Sequence, residues 1–97
     1  MSLRPSIWMP FRLTFTGPFK RRLKRKDLAS RHAIKECIVK LELNPRHPGL
    51  HAHHILGTRN IFEAYVNASD RVSWQYGEPG EIILRAHCRH DAVLSRP

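Results

Sequence analysis

Three successive stretches in the second half of this chain alternate apolar and polar residues with a period of two. Phe62, Ala64 and Val66 share one side of residues 61–66, and Val72, Trp74 and Tyr76 one side of residues 71–76. Ile82, Leu84, Ala86 and Cys88 do so in residues 82–88. A period of two marks a strand with one face against a core, because successive side chains leave a strand on opposite sides. Asn67-Ala68-Ser69-Asp70 and Gly77-Glu78-Pro79-Gly80 supply turn residues between the stretches, so they join as an antiparallel meander. Such a sheet needs a second layer over its apolar side. Its other side collects Arg71, Ser73 and Gln75 from one strand and Ile83, Arg85 and His87 from the next.

The first half supplies the covering layer. Phe11, Leu13 and Phe15 alternate in residues 11–16 and predict a first strand. Thr16-Gly17-Pro18 is a helix entrance, since Thr caps free N–H groups and Pro is tolerated in a first turn. From Phe19 to Asp27 only Phe19 and Leu23 are apolar, four apart, which suits a helix largely in water. Leu28 to Leu43 predicts a second helix, with Ile34, Cys37, Ile38 and Leu41 at spacings of three and four and Asn44-Pro45 as its stop. The two form a hairpin joined near Asp27 to Ser30. Residues 44–60, with two prolines, two glycines and four histidines, have no clear period and are expected to form a long surface loop. The fold class is therefore α+β: an N-terminal strand, a helical hairpin and a three-stranded meander in one sheet. At 97 residues the whole chain, 1–97, is expected to be one domain.

Charge divides the chain. Through Lys40 there are eleven basic residues and two acidic ones, and from Leu41 onward six of each, so the formal charge of +9 is all N-terminal. Every lysine lies in the first part; six of seven histidines lie in the second. No apolar run approaches a membrane span, and residues 1–10 lack the apolar stretch of a signal peptide. Cys37 and Cys88 are too few for a disulfide framework and fall in apolar patterns. The expected setting is cytoplasmic, with no membrane.

The element order, together with several short stretches, resembles the RelE/ParE superfamily of bacterial type II toxins, in its RelE-like branch that uses histidines as YafQ does. The stretches are the basic helix Phe19-Lys20-Arg21-Arg22-Leu23-Lys24-Arg25, Leu43-Asn44-Pro45 closing the second helix, and His53-His54-Ile55-Leu56-Gly57, similar to a His-x-Leu-x-Gly signature. Asp70-Arg71-Val72 looks like the family's Arg-Val/Ile strand start, and His90-Asp91-Ala92-Val93-Leu94 like its His-Asp-x-Val-Tyr ending, with Leu94 where the family has Tyr. The resemblance spans about Phe11 to Leu94. It implies an mRNA interferase, an endoribonuclease that often acts on the ribosome and is held inactive by a cognate antitoxin. No cofactor and no metal are implied.

Cutting RNA without a metal needs a base for the 2′-OH, an acid for the leaving oxygen and positive charge at the phosphate. Histidine suits the proton transfers and arginine the phosphate. The resemblance points to His53, His90 and Arg71, and strand parity adds Arg85 and His87 beside them; His53 and His90 are expected to divide the proton transfers, with Arg71 and Arg85 at the phosphate. His54 and His87 are alternates, His54 because the adjacent pair leaves the register open. Lys20, Arg21, Lys24, Arg25 and Arg89 are candidate RNA contacts. Several plainer readings stand beside these. The basic helix is equally a solvated face, Arg71 a surface ion pair with Asp70 or Glu63, and His90 a structural histidine. His51, His53 and His54 with His87, Cys88 and His90 carry zinc-type ligands, but the spacing fits no standard zinc knuckle. His32 and His47 are expected at the surface, Cys37, Trp74 and Tyr76 in the core, and Trp8 against a sheet edge or a partner. Two other functions fit the same pattern: a ParE-like gyrase inhibitor, and a non-catalytic member that binds antitoxin or nucleic acid.

Overall fold

The computed structural model describes residues 10–68 and 70–89, the last three by backbone alone. Trp8 and His90 lie outside them. Strand β1 (Arg12–Phe15) runs into helix α1 (Gly17–Arg25) and helix α2 (Leu28–Leu43). A single 3-10 turn follows at Pro48–Leu50, then strands β2 (His53–His54), β3 (Phe62–Tyr65), β4 (Asp70–Tyr76) and β5 (Glu81–Arg89). All five strands form one sheet in the order β1-β5-β4-β3-β2. The β3–β4–β5 meander is antiparallel as its turns predict, and β1 adds parallel to β5, with Leu13 beside Ile82 and Phe15 beside Leu84.

Local chemistry sets the helix ends. Thr16 Oγ1 accepts from the Phe19 N–H at 3.3 Å and donates to the Leu84 carbonyl at 2.9 Å, so one hydroxyl both caps α1 and ties it to β5. Asp27 caps α2 by accepting from the Ser30 N–H at 2.8 Å; that bond holds its carboxyl below its ordinary pKa. Asn44 and Pro45 stop α2, the Asn44 side chain accepting from the Arg46 N–H. Both helices lie on one face of the sheet. Phe19, Ile34, Cys37, Ile38 and Leu41 pack there against Val72, Trp74, Ile82 and Leu84. Burial pushes the Cys37 thiol up to about 12, so it is a neutral core group. Lys26 Nζ, 3.8 Å from Asp70 Oδ1, links the helical hairpin to the start of β4.

Three expectations change. Residues 44–60 are not a structureless loop. His47 Nδ1 accepts from the Gly49 N–H at 2.9 Å and so caps the 3-10 turn, and His53 and His54 pair with Glu63 and Phe62 as an edge strand. Prolines and histidines hid both, because a one-turn helix and a two-residue strand are too short to show a period. The strict alternation in β5 fails as well: Trp74 lies opposite Leu84 but Ser73 opposite Ala86, a bulge that shifts the register so that His87 falls opposite Val72 and Cys88 opposite Arg71. Tyr76 is not core. It is 42% exposed at the end of β4, where the helical layer no longer covers the sheet.

Candidate active site

The face of the sheet away from the helices carries the polar residues, and pairing arranges them in rows. One row runs His53, Glu63, Ser73, Ala86 across β2, β3, β4 and β5. The next row sets Tyr65 beside Arg71. Strand spacing and rise put the Cα atoms of His53 and Arg71 roughly 12 Å apart on this face.

Glu63 is the centre of this face. Its carboxylate is fully buried, and Oε1 lies 3.1 Å from His53 Nε2. The other ring nitrogen of His53, Nδ1, faces the His51 carbonyl at 3.1 Å, so it donates there. His51 sits in the left-handed region at φ 46°, and the turn it makes brings its carbonyl under the His53 ring. Both nitrogens of His53 thus face oxygen atoms.

Arg71 is fixed from three sides. Its guanidinium donates to the Asn67 carbonyl at 2.7 Å and the Asp70 carbonyl at 3.0 Å, and it lies over the Tyr65 ring, 4.8 Å from the centroid. His51 meets Tyr65 edge-on at 5.6 Å, so His51, Tyr65 and Arg71 form one aromatic and cationic stack. Backbone carbonyls and a ring therefore hold Arg71, in place of the ion pair with Asp70 or Glu63. Arg85 donates to the Gln75 side chain on this same face. His54 points to the other side: its ring packs edge-on against Phe62 at 5.5 Å, and Nε2 faces the Arg59 carbonyl.

No family model and no curated protein match the chain. Solved structures do. A YoeB/ParE toxin from Agrobacterium tumefaciens superposes with a TM-score of 0.70 at 14% identity, covering 81% of this chain and 98% of that one. The archaeal RelE–RelB complex from Pyrococcus horikoshii OT3 gives 0.67 at 17% identity, covering 92% and 100%. The E. coli DinJ–YafQ toxin–antitoxin complex gives 0.66 at 13% identity, covering 88% and 98%.

The fold is that of the RelE/ParE toxins.

On this RelE/ParE fold the predicted residues divide into groups. His53, Arg71 and Arg85 share the polar face of the sheet. Lys20, Arg21, Lys24 and Arg25 are exposed on α1, in the layer that covers the opposite face. They form two pairs four apart, a cationic stripe separate from the sheet site. Backbone register places His87 and Arg89 opposite Val72 and Asp70. His32 pairs at the surface with Glu36, one turn on. Glu63 and Tyr65 are the site residues that sequence reasoning missed. Their signal was present, since both occupy the polar phase of a strand whose apolar phase was recognised. Among the described residues no group of three or more His, Cys, Asp or Glu could hold a metal ion. No helix among them is long and apolar enough to cross a membrane.

Proposed function

We propose that the chain is the toxin of a toxin–antitoxin pair, and that it is a metal-independent endoribonuclease of the histidine-using, YafQ-like kind that cuts mRNA at the ribosome. The observation that carries this reading is the polar sheet face, which holds the His53 imidazole against a buried carboxylate and two guanidinium groups, Arg71 and Arg85, on neighbouring strands. Guanidinium groups oriented by carbonyls and a ring are set to receive phosphate oxygens and the charge that grows on them during transfer. In this reading Arg71 and Arg85 bind the scissile phosphate. His53 and His90 divide the proton transfers: one removes the 2′-OH proton as the oxygen attacks phosphorus, and the other protonates the departing 5′-oxygen, leaving a 2′,3′-cyclic phosphate. Either histidine can take either role in this reading, with His54 and His87 outside the first rank.

The α1 stripe of Lys20, Arg21, Lys24 and Arg25, together with Arg89, supplies phosphate contacts that hold the toxin to ribosomal RNA. The antitoxin assignment draws on the neighbours themselves, which include RelE with RelB and YafQ with DinJ. The test is a map of transcript ends after induction, in the wild type and in His90→Ala. Cuts within codons that vanish in His90→Ala are expected; full toxicity of that variant overturns the assignment. A ParE-like reading is kept because one neighbour carries both names. Inhibition of gyrase supercoiling without RNA cleavage would establish it instead.

A further inference from the structure

On the helix side of the sheet, past the C-terminal end of α2, lies an open groove of about 470 Å³. That is within the size range of small-ligand sites. Its floor is aromatic. Phe62 and Trp74 stack with centroids 4.8 Å apart and planes 18° from parallel, and Tyr76 stands edge-on to Trp74 at 5.0 Å. Its rim is basic, with Arg46, His47 and His51 among the lining residues. His53 lines it too, so the two-residue strand β2 is the ridge between this groove and the polar face of the sheet.

Two features call for an occupant. Tyr76 leaves ring surface exposed at the mouth of an otherwise apolar floor. The indole N–H of Trp74, in a residue only 2% exposed, finds no acceptor among the described residues. Buried donors are nearly always paired, so an unpaired one in the floor of a groove is notable. An aliphatic side chain of a protein partner would cover the rings and offer nothing to the basic residues of the rim. A nucleobase offers a flat face for stacking and a rim of carbonyl and ring-nitrogen acceptors, and its backbone carries the charge that Arg46 attracts.

We propose that this groove receives one unstacked nucleobase of the RNA strand, the base next to the scissile phosphate, turned over the β2 edge while the phosphate stays on the polar face. The groove is then a specificity subsite, and the inference rests on the ribonuclease reading above.

The experiment uses the full chain carrying Trp8→Phe, which leaves Trp74 as its sole tryptophan. It is titrated with a nine-nucleotide RNA 2′-O-methylated throughout, which cannot be cut. Binding is followed by Trp74 fluorescence and, independently, by anisotropy of end-labelled RNA. Saturable quenching is expected, with affinity about tenfold weaker in Tyr76→Ala and kept in Tyr76→Phe. Arg46→Ala, at an exposed position, is expected to weaken binding and reduce the salt slope by about one. Circular dichroism confirms that each variant folds. RNA affinity unchanged in both Tyr76→Ala and Arg46→Ala overturns the proposal. So does Tyr76→Ala weakening antitoxin binding alone, which would give the groove to a protein partner. Cleavage of unmodified mRNA on ribosomes is assayed in parallel with Arg71→Ala. Absence of cleavage with groove binding intact would fail the nuclease reading and leave the base site; cleavage abolished by Arg71→Ala with no groove effect would do the reverse.

Discussion

The two faces of this sheet are built from the same strands and even from adjacent residues, yet they bury different chemistry. Toward the helices, Val72, Trp74, Ile82 and Leu84 are removed from water with Phe19, Ile34 and Leu41, which is ordinary hydrophobic stabilisation. On the far side Glu63 and Ser73 are equally inaccessible, although a buried carboxylate costs free energy unless partners compensate it. The first face stabilises the fold. The second spends part of that stability on holding charged groups in fixed positions, and such expense is typical of sites where geometry matters more than packing.

If that division is right, substitutions on the two faces should have opposite signatures. The largest loss of stability is expected from Leu41→Ala, at about 2–5 kcal/mol, from lost burial and the cavity left behind. Denaturant unfolding measures it, and activity should fall only as far as the folded fraction does. Arg71→Ala should lower RNA cleavage by about 10²–10³-fold while costing no more than about 1 kcal/mol in stability. Arg71→Lys should not rescue it, since an ammonium lacks the planar fork. A cleavage rate within a few-fold of wild type would remove Arg71 from the site.

Glu63→Leu sharpens the contrast. Exchanging a buried carboxylate for an apolar residue of similar size should leave stability within about 1 kcal/mol of wild type or raise it, while cleavage drops. A large loss of stability would show that Glu63 serves the core. The smallest effect concerns acid. Asp27 and Glu81 are held below their usual carboxylate range, Asp27 by the Ser30 N–H and Glu81 by the Thr14 hydroxyl and the Glu78 N–H. A lowered folded-state value means that their contribution is present above the unfolded pKa, near 4, and is lost as pH falls through the folded one. The melting temperature should therefore decline modestly below about pH 4, and less so in the double variant Asp27→Asn, Glu81→Gln. Both groups are exposed, which keeps the effect small.

Most of the architecture was legible in the residues. Period two in residues 61–66, 71–76 and 82–88 corresponds to β3, β4 and β5. Asn44-Pro45 ended α2 where the structure ends it, and Thr16 and Asp27 proved to be the caps of α1 and α2. These features are local: capping, proline geometry and side-chain alternation depend on neighbours in the chain. The candidate site was legible only in part. Arg71 and Arg85 were assigned to the polar face from parity, and both lie there. His53 was singled out, but the carboxylate that meets it was not.

What the chain determined by itself was the kind of elements, their order and which phase of each strand is apolar, because these follow from interactions over a few residues. What tertiary structure alone decided was the pairing. It joined β1 parallel to β5, made an edge strand of His53 and His54, and placed a bulge in β5 that displaced His87 from the parity of Arg85. It also brought Glu63 against His53 and left Tyr76 uncovered where α2 stops short. Such contacts join residues far apart in sequence. They are fixed by how the whole core closes, which no local pattern encodes.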